Sequence, residues 1–115
     1  MEVILNIGLA REGASDIAKN AVINETDAAF RGAAYVYRFH ESDTETTAVV
    51  YADDNGLDAN QVSLIVDRLA RKLGQDCIAV YYPEAGHGAL VGPNAAKWGE
   101  FNPSFFLLRD GSRLG

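Results

Sequence analysis

Between Asp58 and Gly74 the apolar residues Val62, Ile65, Val66, Leu69 and Leu73 recur at the spacing that gathers them into one stripe along a helix. Asp58 stands where a helix cap belongs, and Gln61 follows three positions later, the arrangement of a capping box. Arg68, Arg71 and Lys72 crowd the C-terminal half, where positive charge suits the helix dipole, and Gly74 supplies the stop. A stripe this continuous has to be buried, and the segments on either side of it read as the sheet that buries it.

Val3, Leu5, Ile7 and Leu9 alternate with Glu2, Ile4, Asn6 and Gly8, the period of a strand with one apolar face. Arg11 to Asp16 reads as a loop. A weaker helix is expected from there to Phe30, with Val22, Ile23, Thr26 and Phe30 on its inner face and Gly32 as the stop. Ala33 to His40 alternates again, Tyr35, Tyr37 and Phe39 on one face and Ala34, Val36, Arg38 and His40 on the other. After the polar turn Glu41–Glu45, the β-branched run Thr46 to Ala52 is a strand that pairs with it as a hairpin. Asp53-Asp54-Asn55-Gly56 has turn chemistry. Cys77 to Tyr82 is apolar on both faces and belongs inside a sheet. The turn Pro83–Gly88 then leads to a return strand at Ala89–Val91.

This β-α-β-β-α-β order predicts an α+β, ferredoxin-like fold. Its antiparallel sheet would run 4-1-3-2 with both helices on one face, extended by an extra C-terminal hairpin strand and an aromatic tail. Residues 1–115 read as one domain, with 94–115 as a tail packing on it. In that tail Asn102-Pro103 marks the start of a short helical turn, Asp110-Gly111 is a turn, and Ser112 to Gly115 are expected to fray.

Composition narrows the function. Hydrophobic residues make up 48% and charged residues 23%, which suits a packed domain rather than a disordered chain. The single cysteine, Cys77, leaves no disulfide within the chain. No run of about 18 apolar residues is present to span a membrane, and the acidic, alternating start is unlike a secretory leader. A cytoplasmic location is expected. The net charge of −6 works against a general nucleic-acid binder. Mimicry of nucleic acid by an acidic inhibitor is an alternative, but outside Glu41-Asp43-Glu45 and Asp53-Asp54 the carboxylates are scattered, as solubility alone would have them.

The usual catalytic ingredients do not converge. His40 and His87 fall near opposite ends of the expected sheet, about 20 Å apart, so they share neither a metal nor a proton relay. Cys77 reads as a packed, inert thiol. His40 with Glu41, Asp43 and Glu45 matches no calcium loop and reads as a solvated turn. Gly86-His87-Gly88 and Gly92-Pro93 lack the lysine of a phosphate loop and suit hairpin turns. The nucleophile-elbow, zinc-helix and paired-cysteine motifs are absent. No cofactor and no metal is called for.

The aromatic residues are the better lead. Tyr35, Tyr37, Phe39, Tyr51 and Tyr81 are expected on the sheet face turned away from the helices. Such a face can stack RNA bases, but the basic supplement and the glycine-aromatic motif of RNA modules are missing. It is expected to be covered, by the tail with Trp98, Phe101, Phe105 and Phe106 or by a second copy of the chain. Tyr35, Tyr37, Phe39 and Tyr51 are therefore interface candidates. Tyr81, His87, Trp98 and Arg38 are candidates to line a pocket between sheet and tail.

Ser42-Asp43-Thr44-Glu45-Thr46-Thr47, Gln75 to Val80, Leu90-Val91-Gly92-Pro93 and Trp98-Gly99-Glu100-Phe101-Asn102-Pro103 together resemble a family of small, functionally uncharacterised bacterial and prophage proteins. The resemblance implies an accessory or host-interaction role and no particular reaction. The sequence favours binding over catalysis, with an unknown protein or a second copy as partner. A small enzyme or small-molecule binder using the pocket under the tail is the alternative.

Overall fold

A computed structural model of the chain describes residues 1–10 and 15–115. The strands are β1 (Glu2–Ala10), β2 (Ala34–Glu41), β3 (Glu45–Asp53), β4 (Ile78–Tyr82) and β5 (His87–Val91), and the helices are α1 (Asp16–Ala29) and α2 (Ala59–Lys72). Of the expected loop Arg11–Asp16, residues 11–14 lie outside the described residues. Ser15 is the cap of α1, its Oγ accepting from the Ala18 N–H.

Helix α2 follows its sequence closely. The Asp58 carboxylate accepts from the Gln61 N–H at 2.9 Å, and the Asp58 N–H donates to the Gln61 side chain at 3.0 Å. Val62, Val66 and Leu69 are buried, with Ile65 and Leu73 packed at the margin. They meet Val3, Leu5, Ile7 and Leu9 of β1, together with Val22 of α1 and Phe30 at its C-terminal cap, so both helices lie on one face of the sheet. In α1 the expected inner face is corrected at one position: Ile23 is exposed, while Thr26 is fully buried. The Thr26 hydroxyl is satisfied within its own helix, donating towards the Val22 carbonyl at 2.8 Å. Arg31 and Gly32 then both take positive φ, and Gly32 N–H closes back on the Asp27 carbonyl.

The sequence leads to an order 4-1-3-2 extended by a C-terminal hairpin strand; the sheet has five strands in the order β2-β3-β1-β4-β5, antiparallel at every pairing. The class is α+β. Strand β4 is interior, as its two apolar faces require, and β5 is longer than read, reaching back to His87.

Strand β2 departs from strict alternation. Val36 pairs with Val50, but Arg38 pairs with Val49, so Tyr37 is the extra residue of a β-bulge. The insertion reverses the facing of everything after it. Phe39 therefore does not share a face with Tyr35. It sits opposite Ala48 and packs against the helix-side core, with the Lys19 ammonium 5.5 Å from its ring centre.

The face away from the helices carries the C-terminal tail. Phe106 and Leu107 are buried there against Ile4 and Val49, with Tyr81, Phe101, Leu108 and Leu114 around them. The last residues are tied down rather than frayed. Leu114 N–H donates to the Phe106 carbonyl and Gly115 N–H to the Pro103 carbonyl, and Leu107 bridges to Arg113. Not every tail aromatic leaves water: Trp98 is 64% and Phe105 74% exposed.

Candidate functional site

The tail divides this sheet face into three zones. In the middle is a clasp. Asn6, on β1 between the buried Leu5 and Ile7, faces the tail because its position is even in the alternation. Its amide exchanges two hydrogen bonds with the backbone of Leu107.

At one end three tyrosines surround a cation from the tail. Tyr35 and Tyr51 are cross-strand partners with rings 5.1 Å apart, and the bulge sets Tyr37 beside them. The Arg109 guanidinium lies 4.8 Å from the Tyr51 ring centre and 5.1 Å from that of Tyr37. It donates to the Tyr35 hydroxyl at 3.3 Å and lies 4.0 Å from the Glu2 carboxylate. Tyr37 and Tyr51 present their negative ring faces to the guanidinium, an arrangement that holds a planar cation well. The three tyrosines read as interface candidates are thus engaged by the chain itself.

At the other end the tail stands clear of the sheet and leaves a groove of about 630 Å³. Gly8, Thr47, Ala79 and Leu90 contribute from the strands. The turn after α2 supplies Gln75, Asp76 and Cys77. Trp98, Phe101 and Phe105 wall it from the tail side, with Glu45 and Glu100 also lining it. Gly8 leaves space that the Glu45 carboxylate uses, since a Cβ there would meet Oε2 at 3.0 Å.

Asp76 organises the rim. Its carboxylate accepts from the Trp98 indole N–H at 3.1 Å and the Asn94 amide at 3.2 Å, and the Lys97 ammonium lies 3.6 Å away. The indole bond first, then the charge of Lys97, holds the Asp76 carboxyl below the ordinary aspartate range. These contacts explain why Trp98 stays at the surface: its polar edge is fixed to Asp76.

Among the four residues expected around such a pocket, only Trp98 lines the groove. Tyr81 is packed under the tail, its ring stacked on Phe101 at 6.2 Å and tilted against Phe106. Arg38 lines a separate hollow of about 430 Å³ between α1 and β2. His87, paired with Tyr82, lines neither.

The catalytic ingredients stay apart. His40 is level with Thr47 and Gly8, whereas His87 is level with Tyr82 on the far edge strand. The register separates them by roughly 16 Å along the strands and roughly 19 Å across them. Cys77 lines the groove half-buried, and burial, with the charge of Asp76, pushes its thiol pKa up, away from the reactive thiolate. No group of three or more His, Cys, Asp or Glu side chains among the described residues is placed to hold a metal ion. No helix among them is long and apolar enough to cross a membrane.

No protein-family model matches the chain, and neither a curated protein nor a solved structure matches it, so what the site can do is read from its own side chains. Asn6, Asp76, Glu100 and Arg109 are not singled out by the sequence, whereas Phe101 is read there only as one of the tail aromatics. Asn6 has a visible signal, a lone amide inside an apolar alternation; the others depend on how the tail folds back.

Proposed function

We propose that this chain is a non-enzymatic binding domain of ferredoxin-like architecture, and that its ligand sits in the groove between the sheet and the C-terminal tail. The position of β1 between β3 and β4 supports the architecture, with β5 as an addition outside the split βαβ pair. The observation that carries the function is the groove. Its volume falls within the range of about 300–1,000 Å³ of small-molecule sites. Aromatic walls and a few polar groups give it the usual make-up of such a site. Burial and the charge of Asp76 raise the pKa of its thiol, Cys77, and the Thr47 hydroxyl reaches the Glu45 carboxylate only at 3.5 Å, which favours binding over chemistry.

Trp98 is the only tryptophan, so its emission reports on this rim alone. Titration of the intact protein with phenethyl alcohol, an uncharged aromatic probe, is expected to give a saturable change in Trp98 emission and shifts in the amide resonances of Ala79 and Leu90. Ala79→Leu, which fills the floor, is expected to abolish both. If neither phenethyl alcohol nor a charged phenyl compound gives a saturable response at any of these residues, the groove is not a ligand site.

A further inference from the structure

Resting on that reading of the groove, we infer that its ligand is a small organic cation, an ammonium carried on a flat apolar body. Three carboxylates line the groove, Glu45, Asp76 and Glu100, and among the described residues no lysine, arginine or histidine does. The acidity is partly spent at Asp76, which Lys97 and the Trp98 indole N–H already satisfy. Glu45 and Glu100 have no cationic partner among the described residues, and they stand in the groove with the aromatic side chains of Trp98, Phe101, Phe105 and Phe106. That pairing suits an ammonium group, which takes both a carboxylate and the negative face of a ring, while the ligand's apolar body covers the remaining wall. Two of those aromatics, Trp98 and Phe105, are largely exposed, so their surface is open to an incoming ligand. An anion of the same shape would instead meet the negative charge of Glu45 and Glu100.

The same face already uses this chemistry at its other end, where Arg109 lies over Tyr37 and Tyr51. There the chain provides its own cation. In the groove the described residues provide the aromatic and acidic partners and no cation.

The test compares phenethylamine, phenethyl alcohol and phenylacetate on the intact protein, read by Trp98 emission and by amide shifts. The amine is expected to bind ~5–10-fold more tightly than the alcohol, and the carboxylate more weakly than either. Added salt is expected to erode the preference for the amine and leave the alcohol unchanged. Glu100→Gln and Glu45→Gln are each expected to weaken the amine about threefold and spare the alcohol. Lys97→Met, which frees Asp76, is expected to strengthen the amine. Equal binding of amine and alcohol, or tighter binding of phenylacetate, would overturn the inference while leaving the groove a binding site. Absence of binding by all three would remove the proposed function and this inference together.

Discussion

Asn6 and Leu107, separated by 101 positions, are joined like neighbouring strands: the Leu107 N–H donates to Asn6 Oδ1 at 2.7 Å, and Asn6 Nδ2 donates to the Leu107 carbonyl at 3.0 Å. One side-chain amide satisfies both backbone groups of a buried residue. Asn6→Ala leaves that donor and acceptor without partners in an apolar setting. A loss of ~2–4 kcal/mol is expected in urea unfolding, with faster amide exchange at Leu107. Asn6→Asp keeps the acceptor but loses the donor. An Asn6→Ala protein within ~0.5 kcal/mol of the parent would show that the clasp contributes little.

Gly88 is required by the Phe101 ring, which lies where its Cβ would be. Gly88→Ala is therefore expected to destabilise by ~1–3 kcal/mol through overpacking. Phe101→Leu costs some stability alone but should make Gly88→Ala far better tolerated. Additive losses in that double-mutant cycle would mean the ring moves aside freely.

Arg109 tests whether the tyrosine box needs a planar cation. Arg109→Ala is expected to cost about 1 kcal/mol and to shift the ring resonances of Tyr37 and Tyr51. Arg109→Lys keeps the charge but loses the flat stacking surface, so it should recover less than half of the loss. Full recovery by lysine would reduce the contact to simple charge attraction.

The pH dependence at the rim has a defined sign. Asp76 is held below its ordinary pKa in the folded protein, chiefly by the Trp98 indole N–H. Its contribution to stability is complete above the ordinary aspartate value and is lost as pH falls through the lowered folded value. Trp98 emission should therefore change on acidification within and below the usual aspartate range. Asp76→Asn should remove that transition. A transition unchanged in this variant would assign it to another carboxylate.

Cys77 is expected to react slowly with iodoacetamide at neutral pH, because its thiol pKa is raised. Modification in the folded protein faster than that of a free cysteine peptide would reopen covalent chemistry in the groove.

What the sequence discloses follows from how local each signal is. The α2 stripe, its capping box and the β1 alternation are set by neighbouring residues and could be read directly. The β2 bulge could not: Tyr37 and Phe39 alternate perfectly with Tyr35, and only pairing with β3 reveals the extra residue and turns Phe39 towards the helices. The groove was harder still. Trp98 is legible as a pocket candidate because an aromatic tail has to pack on the sheet, but nothing local to Asp76 shows that it fixes the indole. The tail's ending misled for the same reason. Ser112 to Gly115 look unanchored until their backbone groups find Phe106, Leu108 and Pro103.

The long reach from Asn6 to Leu107 has a consequence for synthesis. Strands β1 to β3 are complete once Asp53 has emerged, yet Ile4 and Val49 wait for Phe106 and Leu107 to cover them. At ~5–20 residues per second that interval is roughly 3–10 s on the ribosome. Throughout it the nascent chain presents an apolar sheet surface with nothing on it, so a ribosome paused between residues 54 and 105 holds a species suited to chaperone capture or to sticking to its neighbours.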